Sequence, residues 1–166
     1  LKAEVELDVA FHVAFTERPA IQPATILAAL AAYEARLVSP PSAFDRWTAG
    51  EDTALTAEAL AGFKLFVGRA GCVACHSGWR LADGRFRDIG IASDDPGRGA
   101  ITGGVPGLAA FKTPGLREVR WTAPYMHDGS KATLAAVIDH YAGGFVDRPG
   151  LSTNMPRGLK LSTAER

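Results

Sequence analysis

Apolar positions along the first third of the chain recur at spacings that separate helix from strand, with one exception. From Val5 to Phe15 the two patterns conflict: Val5, Leu7, Val9, Phe11, Val13 and Phe15 alternate with more polar or smaller residues as in a strand, yet Leu7, Phe11 and Phe15 are also four apart, as on a helix. Both readings stay open there, and His12 reads as a packing or surface residue. Pro23 to Leu37 is clearer. Proline suits a first helical turn, and Ile26, Leu30, Tyr33 and Leu37 form one apolar stripe among alanines. Ser39-Pro40-Pro41-Ser42 ends that helix, since proline cannot continue the hydrogen-bond ladder. The segment through Asp52 then reads as a linker, with Phe44 and Trp47 anchoring the crossing.

A further helix is predicted from Thr56, a good N-cap with Glu58 in the first turn. Leu60, Phe63 and Val67 share its face and Gly68 stops it. Gly78 to Ala110 has no sustained period and reads as ordered loop; Asp94 and Asp95 within it read as solvated acids rather than a cation site. The next helix is capped by Ser130 or Thr133, carries Leu134, Val137, Ile138 and Tyr141 on one stripe, and is closed by Gly143-Gly144. On that stripe Tyr141 faces inward, and His140 is expected to turn away. Ser162-Thr163-Ala164-Glu165 has the form of a capping box, which predicts another helix and hence a natural protein that continues.

Composition narrows the possibilities. The chain has 166 residues, 47% of them hydrophobic, and a formal net charge of +0, which suits a packed core and does not indicate a nucleic-acid partner. No apolar run approaches the roughly 18 to 20 residues of a membrane span. Leu1-Lys2-Ala3-Glu4 lacks the basic start and apolar run of a signal peptide.

The chemistry centres on Cys72-Val73-Ala74-Cys75-His76, the C-x-x-C-H pattern that attaches a c-type haem. Two thiols add across the haem vinyl groups, and the imidazole next to them binds the iron from one face. A zinc site would need further ligands at similar spacing, and the chain has only these 2 cysteines. A thioredoxin-like dithiol would follow a strand, whereas Gly68-Arg69-Ala70-Gly71 follows a helix. Attachment of this kind takes place outside the bacterial cytoplasm, so an exported, periplasmic protein is expected, met after processing or in part. For the opposite face of the iron the residues leave Met126, His127, His140, Tyr141 and Met155 open, a loop methionine such as Met126 being usual in a single-haem cytochrome.

These residues resemble the bacterial dihaem cytochrome c peroxidase and MauG family, and in particular its C-terminal haem domain. The resemblance covers nearly the whole chain. It rests on Leu37-Val38-Ser39-Pro40 with Ser42-Ala43-Phe44-Asp45-Arg46, on Cys72 to His76, on Phe111-Lys112-Thr113-Pro114-Gly115-Leu116-Arg117, and on Thr122-Ala123-Pro124-Tyr125-Met126-His127-Asp128-Gly129.

The resemblance implies an all-α fold: a c-type cytochrome domain with long haem-wrapping loops over 54–166, reached by a linker over 41–53. Residues 1–40 would be closing helices of a second, N-terminal haem domain. It implies haem c, one in this segment and two in the full protein, held by Cys72, Cys75 and His76. The sixth iron ligand would come from the helix after the Pro-Tyr-Met-His motif, at Tyr141, with Met126 as the alternative. A calcium ion between the domains would take the carbonyls of Thr122 and Pro124.

By the same resemblance the whole protein would use hydrogen peroxide to oxidise a protein side chain, storing oxidising equivalents on a His/Tyr haem. The rival readings are a dihaem cytochrome c peroxidase that reduces hydrogen peroxide to water with a small electron-donor protein, and a single-haem electron-transfer module with His/Met ligation. One departure stands out. Ala70 occupies the position, two before the first cysteine, where MauG carries a tryptophan for electron hopping. Trp79 and Trp121 are the remaining candidates for a route and are expected to pack, and Arg117 or Arg120 is expected to pair with a haem propionate.

Overall fold

The computed structural model describes residues 2–16, 21–103 and 108–166. The chain divides into two compact units, Leu1–Arg46 and Trp47–Arg166. In the first unit helix α1 spans Lys2–Ala14, which settles the conflict over Val5 to Phe15 in favour of helix. Good helix formers fill the stretch, and the four-residue spacing brings the Phe11 and Phe15 rings to 5.7 Å. His12 lies on the surface, its Nδ1 3.0 Å from the Asp8 carbonyl oxygen. Helix α2, Pro23–Glu34, opens with reciprocal bonds between Gln22 and Thr25 and stops three residues before the predicted end.

The predicted linker contains a helix of its own. α3 spans Ala43–Thr48, and its start is fixed because the Asp45 carboxylate accepts from the Ser42 amide, at 2.8 Å, and from its hydroxyl. A serine followed three residues later by an aspartate does locally what a capping box does.

In the second unit α4, Ala57–Val67, begins as expected, with the Thr56 hydroxyl accepting from the Ala59 amide at 3.1 Å. Phe63 packs edge-on against Trp47, centroids 5.1 Å apart. Gly68 ends the helix, and a Cβ there would come within 2.6 Å of the Lys64 carbonyl oxygen. After a 3₁₀ turn over Cys72–Ala74 the chain enters the long loop. Four residues of the predicted loop, 104–107, lie outside the described residues.

The loop is better organised than its sequence predicts. Strand β1, Phe86–Arg87, pairs antiparallel with β2, Phe111–Lys112, so the fold is helix-rich with a small two-stranded ladder rather than wholly helical. A helical turn, α5, spans Gly99–Thr102. Asp95 accepts from the Gly97 amide at 2.7 Å, a local turn closure. Helix α6, Leu134–Asp139, is capped by Thr133, whose hydroxyl accepts from the Ala136 amide. It runs into a π-helical turn over His140–Gly144, inside which Gly143 leaves helical geometry at φ +125°. The box at Ser162 and Glu165 forms and opens a single 3₁₀ turn, Thr163–Glu165. No helix among the described residues is long and apolar enough to cross a membrane.

Among the described residues the buried apolar side chains are Ala70, Ile91, Ala110, Leu151 and Met155. Ala70 immediately precedes the Cys72 to His76 stretch, and Leu151 and Met155 follow the α6 region.

Candidate functional site

The C-x-x-C-H stretch is shaped by its backbone. Gly71, at φ +67°, turns the chain out of α4, and the Cys75 and His76 amides both donate to the Cys72 carbonyl, at 3.2 and 2.9 Å. This single tight turn brings both cysteines, as free thiols, to one side. Burial pushes the Cys72 thiol above its ordinary pKa, and the Cys75 thiol beside it adds to the rise. Asn154 places its amide 3.8 Å from the Cys75 sulfur, a contact for which the sequence carries no signal.

His76 is oriented by its neighbours. Its Nδ1 is 2.9 Å from the Leu81 carbonyl, which can only accept, so Nδ1 carries the proton and Nε2 keeps its lone pair. Burial holds the imidazole below its ordinary pKa, against the opposing pull of the Leu81 carbonyl and the Asp83 charge. A neutral imidazole tethered at Nδ1, with Nε2 unprotonated, is the state a metal ligand requires. Behind it Arg87 donates to both oxygens of Asp83, at 2.9 and 2.5 Å, and to Thr113, at 3.0 Å. Those bonds hold the Asp83 carboxyl well below the usual carboxylate range. This guanidinium beside His76 is a residue the sequence did not single out.

Tyr141 lies in the same neighbourhood. Burial above all, with the nearby Cys75 and Cys72 thiols adding to it, pushes its phenol up to about 12. The cysteine contribution depends on the sulfurs carrying charge; as thioethers they would lose it. Two thiols, a tethered imidazole and a phenol thus lie in one neighbourhood, with the half-buried Phe66 ring 6.5 Å from that of His76. This donor set fits a porphyrin held at its edge by two sulfurs, with nitrogen and oxygen donors for its iron.

Other predicted positions fall elsewhere. Met126 is half-buried, with the left-handed φ of +69° that is uncommon for a side chain other than glycine. His127 is exposed and stacks on Phe111, centroids 3.5 Å apart. Met155 is buried. Thr122 and Pro124 are exposed, and Pro124 follows a cis peptide bond.

Two expectations are corrected, those for the tryptophans and for His140. Trp79 and Trp121 do not pack: they are 77% and 70% exposed. Arg117 donates to the Trp79 carbonyl at 2.5 Å, and Arg120 lies over the Trp121 ring. His140, expected to turn away, is only 2% exposed, and its Nε2 is 2.8 Å from the Ile89 carbonyl oxygen. The loop 86–91 supplies a second wall behind α6, so the helix has two covered faces where periodicity marks one.

The donor set is of the kind a c-type haem takes, and comparison with known proteins places the chain in a family. A family model described as di-haem cytochrome c peroxidase matches residues 1–53. The methylamine utilization protein MauG of Methylorubrum extorquens is 45% identical over 161 residues, which is 94% of this chain and 45% of that protein. MauG of Methylophilus methylotrophus is 45% identical over 144 residues, 84% of this chain and 43% of that protein. The cytochrome c551 peroxidase of Nitrosomonas europaea is 38% identical over 120 residues, 69% of this chain and 36% of that protein. Among solved structures, a MauG-like protein associated with microbial copper homeostasis matches with a TM-score of 0.75 at 31% identity, over 87% of this chain and 54% of that one. The chain belongs to the MauG and dihaem cytochrome c peroxidase family. It spans less than half the length of the curated relatives named here.

Proposed function

We propose that residues 54–166 are the C-terminal haem domain of a periplasmic, MauG-like dihaem enzyme that uses hydrogen peroxide to oxidise a protein side chain. Residues 1–40 belong with the N-terminal haem domain, where peroxide reacts. The observation that carries this reading is a Tyr141 phenol close enough to Cys72 and Cys75 to feel their charge, in a chain whose next residue after Cys75 is an imidazole tethered at Nδ1. Relatives named MauG, each 45% identical to this chain, support it further.

In this reading Cys72 and Cys75 form thioethers that fix the porphyrin edge. His76 presents Nε2 to the iron because the Leu81 carbonyl holds the proton on Nδ1. Tyr141 would supply its oxygen as a further iron ligand. A buried phenol gives up its proton reluctantly, so the phenolate needs a compensating cation, which ferric iron provides. When bound, haem supplies reversible one-electron chemistry. A phenolate ligand would favour its oxidised forms, since ligand identity spans about 0.8 V of tuning. Such a site suits retention of oxidising equivalents better than routine electron carriage. The carbonyls of Thr122 and Pro124 complete the proposal as two ligands of a calcium ion, a hard cation that accepts such oxygens.

A reductive titration of the full-length, haem-loaded protein tests the reading. A His/Tyr haem resists reduction under conditions that reduce a His/Met haem. Ready reduction of the haem held by Cys72 and Cys75 would favour Met126 as ligand, and with it a peroxidase that detoxifies peroxide or a simple electron-transfer module.

A further inference from the structure

We propose that His140 is a positioning residue for Tyr141: its ring locks the π-helical turn so that the phenol is held towards the iron position. This rests on the reading of Tyr141 as the iron ligand. In a regular α-helix the ladder of backbone bonds fixes the direction of each side chain. At His140–Gly144 that ladder widens, and Gly143 at φ +125° leaves helical geometry altogether. The direction of Tyr141 therefore needs a restraint from outside the helix.

His140 supplies it. The ring is 2% exposed, and because the Ile89 carbonyl can only accept, Nε2 donates to it at 2.8 Å. The imidazole stands edge-on to the Tyr141 ring, centroids 5.3 Å apart at 81°, and edge-on to Phe145 at 6.3 Å. The acceptor is itself immobilised. Ile89 sits between Asp88, which accepts from Arg148 and from the Ser152 amide, and Gly90, whose carbonyl accepts from the Val146 amide. The segment carrying Tyr141 is thus pinned to residues 88–90 on both sides, at residue 140 and at residues 146–152. π-Helical turns commonly occur at functional sites.

The test uses full-length, haem-loaded protein and low-temperature electron paramagnetic resonance of the ferric state. Tyr141→Phe defines the signal of a haem without the phenol. His140→Phe keeps a ring against Tyr141 but removes the donor to Ile89, and His140→Gln restores a donor of similar reach. The expected result is that His140→Phe loses most of the wild-type signal and gains that of Tyr141→Phe, while His140→Gln stays near wild type. Should His140→Phe fail to load haem, His140→Asn, too short to reach Ile89, is expected to show the same displacement. A His140→Phe or His140→Asn spectrum identical to wild type, with Tyr141→Phe changed, would overturn the positioning role alone. An unchanged Tyr141→Phe spectrum would instead remove the ligand reading and this inference with it.

Discussion

Asp88 and Arg148, 60 residues apart in sequence, are joined by a paired contact in which Nε and Nη2 of the arginine donate to the two carboxylate oxygens at 2.7 and 2.8 Å. The aspartate is almost fully buried and also accepts from the Gly90 amide, while the arginine side chain is 27% exposed. This pair ties the long loop to the segment following Tyr141, so the shape of the site depends on contacts made beyond it.

Removing the carboxylate should destabilise the protein. Burial pushes the Asp88 carboxyl up, but the Arg148 hydrogen bonds, the Gly90 amide and the arginine charge outweigh it and hold the group below the usual carboxylate range. A depressed folded-state pKa means the contribution is complete above the unfolded value, about 3.9, and is lost as pH falls through the folded one. Asp88→Asn is expected to cost about 2 kcal/mol at neutral pH, discounted for the exposed arginine. The deficit relative to wild type should shrink below roughly pH 4. Denaturant unfolding across a pH series checks both.

Gly90 tolerates no side chain. It sits at φ +72°, and a Cβ would lie 2.6 Å from the Val146 carbonyl oxygen and 3.0 Å from both Leu151 and Phe145. Backbone cannot yield as the end of a flexible side chain does, so Gly90→Ala should destabilise by roughly 2 to 4 kcal/mol. It should also loosen the Tyr141 segment, because the Gly90 carbonyl accepts from Val146. Thermal unfolding measures the first effect and the ferric haem spectrum the second.

The two thiols predict a covalent outcome. Cys72→Ala with Cys75→Ala should leave no haem on this domain after denaturation, whereas either substitution alone should leave a single thioether. Intact mass of the denatured domain distinguishes zero, one and two attachments. Haem retained through denaturation by the double variant would contradict the assignment of both sulfurs.

Much of this arrangement is legible in the sequence, and the parts that are not have physical reasons. α2 and α4 follow from apolar spacing and from Pro23 and Thr56, signals that act within one or two turns. Cys72, Cys75 and His76 are readable because their chemistry demands a fixed spacing on one turn. α1 is ambiguous in sequence because its apolar residues satisfy two periods at once, and good helix formers decide it. α3 is missed because it is short and capped by an aspartate where a glutamate is the usual signal. The inward face of His140 is hidden for a different reason: its partner, Ile89, lies 51 residues away in a stretch with no period, and a π turn leaves no mark on hydrophobic spacing. Trp79 and Trp121 look like core residues by type, yet their position on turns beside arginines leaves them exposed.

In the proposed site iron sits between His76 and Tyr141 on a haem anchored by Cys72 and Cys75. A crystal structure of the haem-loaded full-length protein in the ferric state tests it most directly. The expected result is continuous density from both sulfurs to the porphyrin, Nε2 of His76 on one face of the iron and the Tyr141 oxygen on the other. Density placing the Met126 sulfur on the iron, with Tyr141 turned aside, would contradict it.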